Sequence, residues 1–201
     1  DKGHTTAAFC AWDSQQLLAR IAGSFAVVPL NILSADIYTR GDNVVLDVFR
    51  VCDLKRRAVT DTSDRALVDT TLRAALTRDD FDFASALAQT RKKILRSGVP
   101  RSDFATRISI DNKMDRTQTI VQLETADRIG LLYELLYAFD AEQVSIALAR
   151  ISTEKGAATD TFYVVDRATR GKIVADECIA SLQKRLHAAA AGPQTVIVNP
   201  R

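Results

Sequence analysis

At 201 residues, 47% hydrophobic and 26% charged, the chain is long enough for one ordinary domain or two small ones and has the apolar material for a core. Its 27 Lys+Arg against 25 Asp+Glu leave a formal charge of +2, and its mean hydropathy is -0.04. So even a balance excludes binding driven by counterion release, and no nucleic-acid partner is expected. No apolar run approaches the roughly 18 to 20 residues that span a bilayer, and no signal-peptide core opens the chain, so a cytoplasmic protein without membrane contact is expected.

The first predicted elements are a strand at 5–12, a helix at 14–28, and strands at 30–40 and 43–53 joined by a turn at Gly41-Asp42. A helix at 62–78 follows. Residues 80–100 read as an insertion or a further helix; the basic run Arg91-Lys92-Lys93 is taken as a solvated face, and Ser97-Gly98-Val99-Pro100 as its stop. A strand at 104–111 is expected to close this first unit. The β-branched stretch 117–125 predicts a strand, and Leu131, Leu132, Leu135, Leu136 and Phe139 at helical spacing predict a helix over 128–142. Strands at 144–154 and 157–166 follow, turned by Glu154-Lys155-Gly156, then a helix at 173–190 and a last strand at 195–198.

The two halves repeat. Asp13-Ser-Gln-Gln-Leu-Leu18 aligns with Asp127-Arg-Ile-Gly-Leu-Leu132, and Leu30-Asn-Ile-Leu-Ser-Ala-Asp-Ile-Tyr-Thr39 with Val144-Ser-Ile-Ala-Leu-Ala-Arg-Ile-Ser-Thr153, at one offset. After a one-residue gap, Leu46-Asp-Val-Phe-Arg-Val-Cys-Asp53 falls on Thr159-Asp-Thr-Phe-Tyr-Val-Val-Asp166. Each half thus predicts the order βαββαβ. The fold class is α+β: two ferredoxin-like units, each an antiparallel sheet with helices on one face, paired side by side so that edge strands are covered. The expected boundaries are 1–79 plus 101–112 for the first unit, 80–100 for the inserted segment and 113–201 for the second.

The chemistry of the remaining residues is sparse. Cys10, Cys52 and Cys178 are odd in number, far apart and without metal-ligand spacing, so they are read as buried reduced thiols. Of the two histidines, His4 and His187, the latter is read as a surface helix residue. No nucleophile elbow, phosphate loop or Cys-His pair is present, and neither a catalytic residue nor a metal site is expected. The lone methionine is Met114, so Asp1 is expected to follow a longer parent chain.

The Asp-Arg-x-Gly-Leu-Leu loop, the Ile-x-x-Ala-x-Ile-x-Thr strand and the Asp-x-Phe-x-Val-x-Asp strand resemble the ACT domain, whose members bind small effectors, commonly amino acids. The tandem arrangement, with Arg107-Ile-Ser-Ile-Asp-Asn112 and Thr119-Ile-Val-Gln-Leu123 before the loop, is similar to the C-terminal region of bifunctional uridylyltransferase/uridylyl-removing enzymes. That resemblance implies glutamine sensing, catalytic domains elsewhere in the same chain and the nitrogen-regulatory PII protein as partner. It also implies magnesium in those catalytic domains, with no cofactor in this chain. Two alternatives stay open: a free-standing tandem ACT regulator of another amino acid, and a structural dimerisation module, homodimeric in the simplest case, whose effector loops have decayed.

A zwitterion needs donors for its carboxylate and an acceptor for its ammonium group, and a helix start supplies donors with a favourable dipole. Gly130 permits close approach, so the N–H groups of Gly130, Leu131 and Leu132 are candidates for the carboxylate. Asp127 is a candidate for the ammonium, or else a helix cap. By the resemblance, such a site joins the loop of one unit to the following strand of the other. One good site is therefore expected from Asp127, Arg128, Gly130, Leu131 and Leu132 with Asn31 and Ile32. A degraded one is expected from Asp13, Gln15, Gln16 and Leu17 with Ser145 and Ile146, because Gln16 stands where the glycine would be. The family often has proline where Ile129 stands, so the loop is expected to cost more to order.

Overall fold

The computed structural model describes residues 3–14, 16–78, 80–96 and 104–192. The chain forms β1 (Thr5–Trp12), α1 (Leu17–Val27), β2 (Asn31–Thr39), β3 (Val44–Cys52), α2 (Thr62–Thr77), α3 (Phe83–Arg96) and β4 (Arg107–Asp111). It continues with β5 (Thr119–Ala126), α4 (Leu131–Ala141), β6 (Val144–Glu154), β7 (Ala157–Asp166) and α5 (Asp176–Ala191). Local chemistry accounts for the ends. Asp61 caps α2 by accepting from the Ser63 N–H at 2.7 Å, and Lys155 and Gly156, both at positive φ, make the tight turn between β6 and β7.

The strands lie in one antiparallel sheet in the order β1-β3-β2-β6-β7-β5-β4. The halves join where β2 pairs with β6, from Ser34 opposite Ser152 to Tyr38 opposite Leu148. Each of these strands would be an open edge in a separate unit, and the pairing satisfies its backbone groups. Alternate strand residues such as Val45, Phe49, Val51, Val121, Leu123, Phe162 and Val164 are buried toward the helices, and one core runs through both halves. The repeat extends to its packing: Phe25 against Phe49 at 5.4 Å between ring centroids, and Phe139 against Phe162 at 4.9 Å.

The strand expected at 104–111 to close the first unit forms as β4 and does something else. It pairs with β5, Arg107 opposite Glu124 through Asp111 opposite Ile120, at the outer edge of the second half. The reason is proximity along the chain. Residues 112–118 turn β4 directly back onto β5, with Asp111 accepting from the Lys113 and Met114 N–H groups and Asp115 from those of Thr117 and Gln118. A short closure costs less entropy than a return across the molecule to β1. β4 thereby lies beside β5, the place the repeat reserved for the strand at 195–198, which lies outside the described residues. The inserted segment is helical, as α3, and the thiols divide: Cys52 is buried, whereas Cys10 and Cys178 are exposed, because they sit on the outer faces of β1 and α5.

Candidate functional site

Two clefts open on the helix side of the β2–β6 seam, related by the same offset as the repeat. The first is lined by Asn31 and Ile32 at the start of β2, residues 127–133 leading into α4, and Asp160 on β7. It therefore brings together all seven residues expected of the good site. The second is lined by Asp13, Gln16 and Leu17 before and in α1, Ser145 and Ile146 of β6, and Asp47 on β3. Gln15 lies outside the described residues; the other five expected there meet in this cleft.

The Gly130 cleft is tight. Its free volume is about 30 Å³, room for a water molecule, against about 430 Å³ in the Gln16 cleft, which falls in the range of small-molecule sites. Gly130 adopts φ 82° as the residue preceding α4, a conformation that glycine takes without steric cost. Gln16 takes the same left-handed turn at φ 61°, so the backbone of the first loop is preserved despite its side chain. That side chain crosses the seam, where Gln16 Nε2 donates to Asp140 Oδ2 at 3.0 Å, and Asp140 also pairs with Arg167 at 2.5 Å.

The loop of the Gly130 cleft differs in detail from expectation. No side chain caps α4, so Asp127 is not a cap. The Leu131 N–H donates to the Arg128 carbonyl at 3.0 Å and is used within the turn itself. The Arg128 guanidinium is engaged by the protein itself: it reaches Glu134 and donates to the Ala189 carbonyl near the end of α5 at 2.6 Å, where a cation suits the helix dipole. Asn31 Nδ2 donates to the Asp53 carbonyl at 3.3 Å.

Sequence reading missed the carboxylates beneath each cleft. Asp160 is 2% and Asp47 1% exposed, and they occupy equivalent positions in the repeat. Burial pushes Asp160 up to about 7, with the Ser152 N–H at 3.3 Å opposing and the charge of Asp127 adding to the rise. Burial likewise pushes Asp47 up to about 6, and its Oδ1 is enclosed without a hydrogen-bond partner. Asp127 and Asp13 are also raised by burial, so each cleft holds two carboxyl groups whose ionised form is penalised by desolvation. The signal was present in strand phase: Asp160 points the same way as Phe162 and Val164, and Asp47 the same way as Val45 and Phe49.

The basic run on α3 is only partly a solvated face. Lys92 and Lys93 are exposed, but Arg91 turns inward, 2.7 Å from Glu134 and 3.5 Å from the Ile129 carbonyl. Among the described residues no cluster of His, Cys, Asp and Glu could hold a metal ion, and no helix is long and apolar enough to cross a membrane.

Residues 107–201 match the family described as ACR9-like, ACT-like domain. The bifunctional uridylyltransferase/uridylyl-removing enzyme of Rhodospirillum rubrum is 33% identical over 184 residues, covering 88% of this chain and 19% of that enzyme. The enzyme of the same name from Azospirillum brasilense is 30% identical over 201 residues, covering 96% of this chain and 21% of its own. Aspartate kinase from Synechocystis aligns with 97% of this chain and 42% of its own at 12% identity and a TM-score of 0.25, too loose a likeness to weigh. The chain spans about a fifth of the length of the curated relatives it matches.

Proposed function

Because this chain belongs to the ACT-like family and is homologous to a segment of the uridylyltransferase/uridylyl-removing enzymes, we propose that it is the amino-acid-sensing part of such an enzyme, with glutamine as effector. In this reading it acts in the cytoplasm, on catalytic domains of the same longer protein. There it controls uridylylation of the nitrogen-regulatory PII protein, and the magnesium chemistry belongs to those domains. The observation that carries the reading is the Gly130 cleft, where a helix-opening loop of one half faces Asn31 and Ile32 of the other across the seam. The ammonium group of the ligand lies against Asp127 and Asp160, and its carboxylate against the loop N–H groups that remain, those of Gly130 and Leu132.

Binding in the millimolar range, about 4 kcal/mol, is enough for a metabolite sensor. Glutamine is expected to raise the melting temperature of the chain and to titrate calorimetrically, while unrelated amino acids do so less; no change at several times the millimolar range sinks the proposal. Volume favours a second reading, in which the ligand enters the open Gln16 cleft. Asp160→Asn and Asp47→Asn separate the two, since each alters one cleft only.

A further inference from the structure

The helix α3 belongs to neither repeat, and the structure sets it across the junction of the two. At its start, Phe83 packs on Tyr133 of α4 with ring centroids 5.0 Å apart. Gly23 of α1 leaves room for both rings: a Cβ there would meet Phe83 Cε1 at 2.6 Å and Tyr133 Cδ2 at 2.8 Å. Farther along, Leu87 is 2% exposed, and Thr90 Oγ1 donates to the Val27 carbonyl at 2.9 Å near the end of α1. One residue on, Arg91 lies against Gly130, its Nη2 only 2.9 Å from where a Cβ would stand and Leu87 Cδ2 at 3.6 Å.

A guanidinium at a helix start opposes the helix dipole, so it needs compensation. Glu134, in the first turn of α4, supplies it: one carboxylate oxygen takes Arg91 at 2.7 Å and the other takes Arg128. These side chains are about four-fifths buried, Arg91 at 22%, Glu134 at 21% and Arg128 at 18% exposed, so the charges are poorly screened. Arg91 does not line the cleft itself but sits on the back of its loop, against Gly130 and the Ile129 carbonyl, and among the described residues the first half has no such contact. The residue equivalent to Glu134 in the first half is Arg20, which donates to the Ala75 carbonyl of α2 at 3.0 Å, and among the described residues no helix lies over Gln16 as α3 lies over Gly130.

We propose that α3 is an intrachain latch: seated by Phe83 and Leu87 and locked by Arg91 on Glu134, it holds the Gly130 cleft closed, so that ligand entry and α3 docking exclude each other. The inference rests on the amino-acid-sensing reading for its ligand but not for its closed state. Linkage then makes the effect reciprocal: a ligand that fills the cleft releases α3, and whatever holds α3 down weakens the ligand. Release of a helix from the helix side of the sheet is the change that such a segment passes on to the rest of a longer protein.

The test uses the whole 201-residue chain with two variants that attack opposite ends of the latch, Arg91→Ala and Phe83→Ala. Hydrogen exchange without ligand is expected to rise at least about tenfold at the Gly130 to Leu132 amides and along α3 in both variants, with the β6–β7 amides unchanged. Calorimetry is expected to show glutamine binding about tenfold or more tighter in Arg91→Ala than in the parent chain, because the closed population no longer taxes the affinity. In the parent chain, glutamine is expected to speed exchange along α3. Arg91→Lys, which keeps the charge, is expected to fall between.

Unchanged loop exchange in both variants overturns the latch. So does weaker glutamine binding in Arg91→Ala, which makes Arg91 a ligand contact, and so does glutamine binding that leaves α3 protected. Faster exchange in the variants with no glutamine binding to any of them removes glutamine as effector and leaves the latch standing.

Discussion

Asp160 is the residue on which stability should depend most visibly. An aspartate titrates near 3.9 in an unfolded chain, and burial raises this one to about 7. The folded state therefore holds its proton more tightly than the unfolded state does. The resulting contribution is full below about pH 4 and is lost as pH rises toward about 7. Asp160→Asn, which mimics the protonated form, should be more stable than the parent chain at about pH 8, by on the order of 2 to 4 kcal/mol, and equal to it near about pH 4. Denaturant melts across that range check the sign. A residual slope should survive in the single variant, because burial also holds Asp47 up to about 6, and should shrink further when Asp47→Asn is added. Greater stability of the parent chain at the higher pH would contradict the assignment.

The paired turns offer a second residue-scale contrast. Gly130→Ala places a Cβ in the left-handed region and against Arg91, and is expected to cost about 1 to 2 kcal/mol in a chemical melt. Gln16→Gly relaxes the equivalent turn at φ 61° but removes the donor to Asp140, and the two effects nearly cancel, leaving a change within about 1 kcal/mol. Equal losses at both positions would mean that the two loops are not sterically distinct.

At the scale of elements, β4 decides which half owns residues 107–111. Ile108 and Ile110 are half-buried against the core of the second half, and Gln183 Nε2 of α5 donates to the Ile108 carbonyl at 3.4 Å. Ile110→Ala should cost roughly 2 kcal/mol and speed amide exchange in β5 while leaving β1 unchanged. Faster exchange in β1 instead would restore the strand to the first half. α3 teaches the complementary lesson. Its helicity follows from Phe83, Leu87 and Thr90 lying along one side, but those residues carry no mark of what they pack on, and a charged run reads the same whether it faces water or a buried glutamate.

For the whole molecule, periodicity and self-similarity carried most of the architecture. Helical spacing of the leucines in α4, alternation in β6 and β7, and recurrence of the Asp-loop, the Ile strand and the Asp-x-Phe strand each depend on neighbours a few residues apart, and such patterns are written directly in the chain. Seven of the residues that line the Gly130 cleft were expected beforehand: the loop from its glycine at a helix start, and its meeting with Asn31 and Ile32 from the resemblance to the ACT domain. What the amino-acid order determined by itself is thus the α+β class, the duplicated unit and the paired loops of the seam. Tertiary structure alone decided that β4 turns back onto β5, that Asp47 and Asp160 are buried carboxyl groups, and that Arg91 lies against Gly130. Those outcomes depend on loop-closure entropy, desolvation and the meeting of groups distant in the chain, and none of the three is set by local pattern.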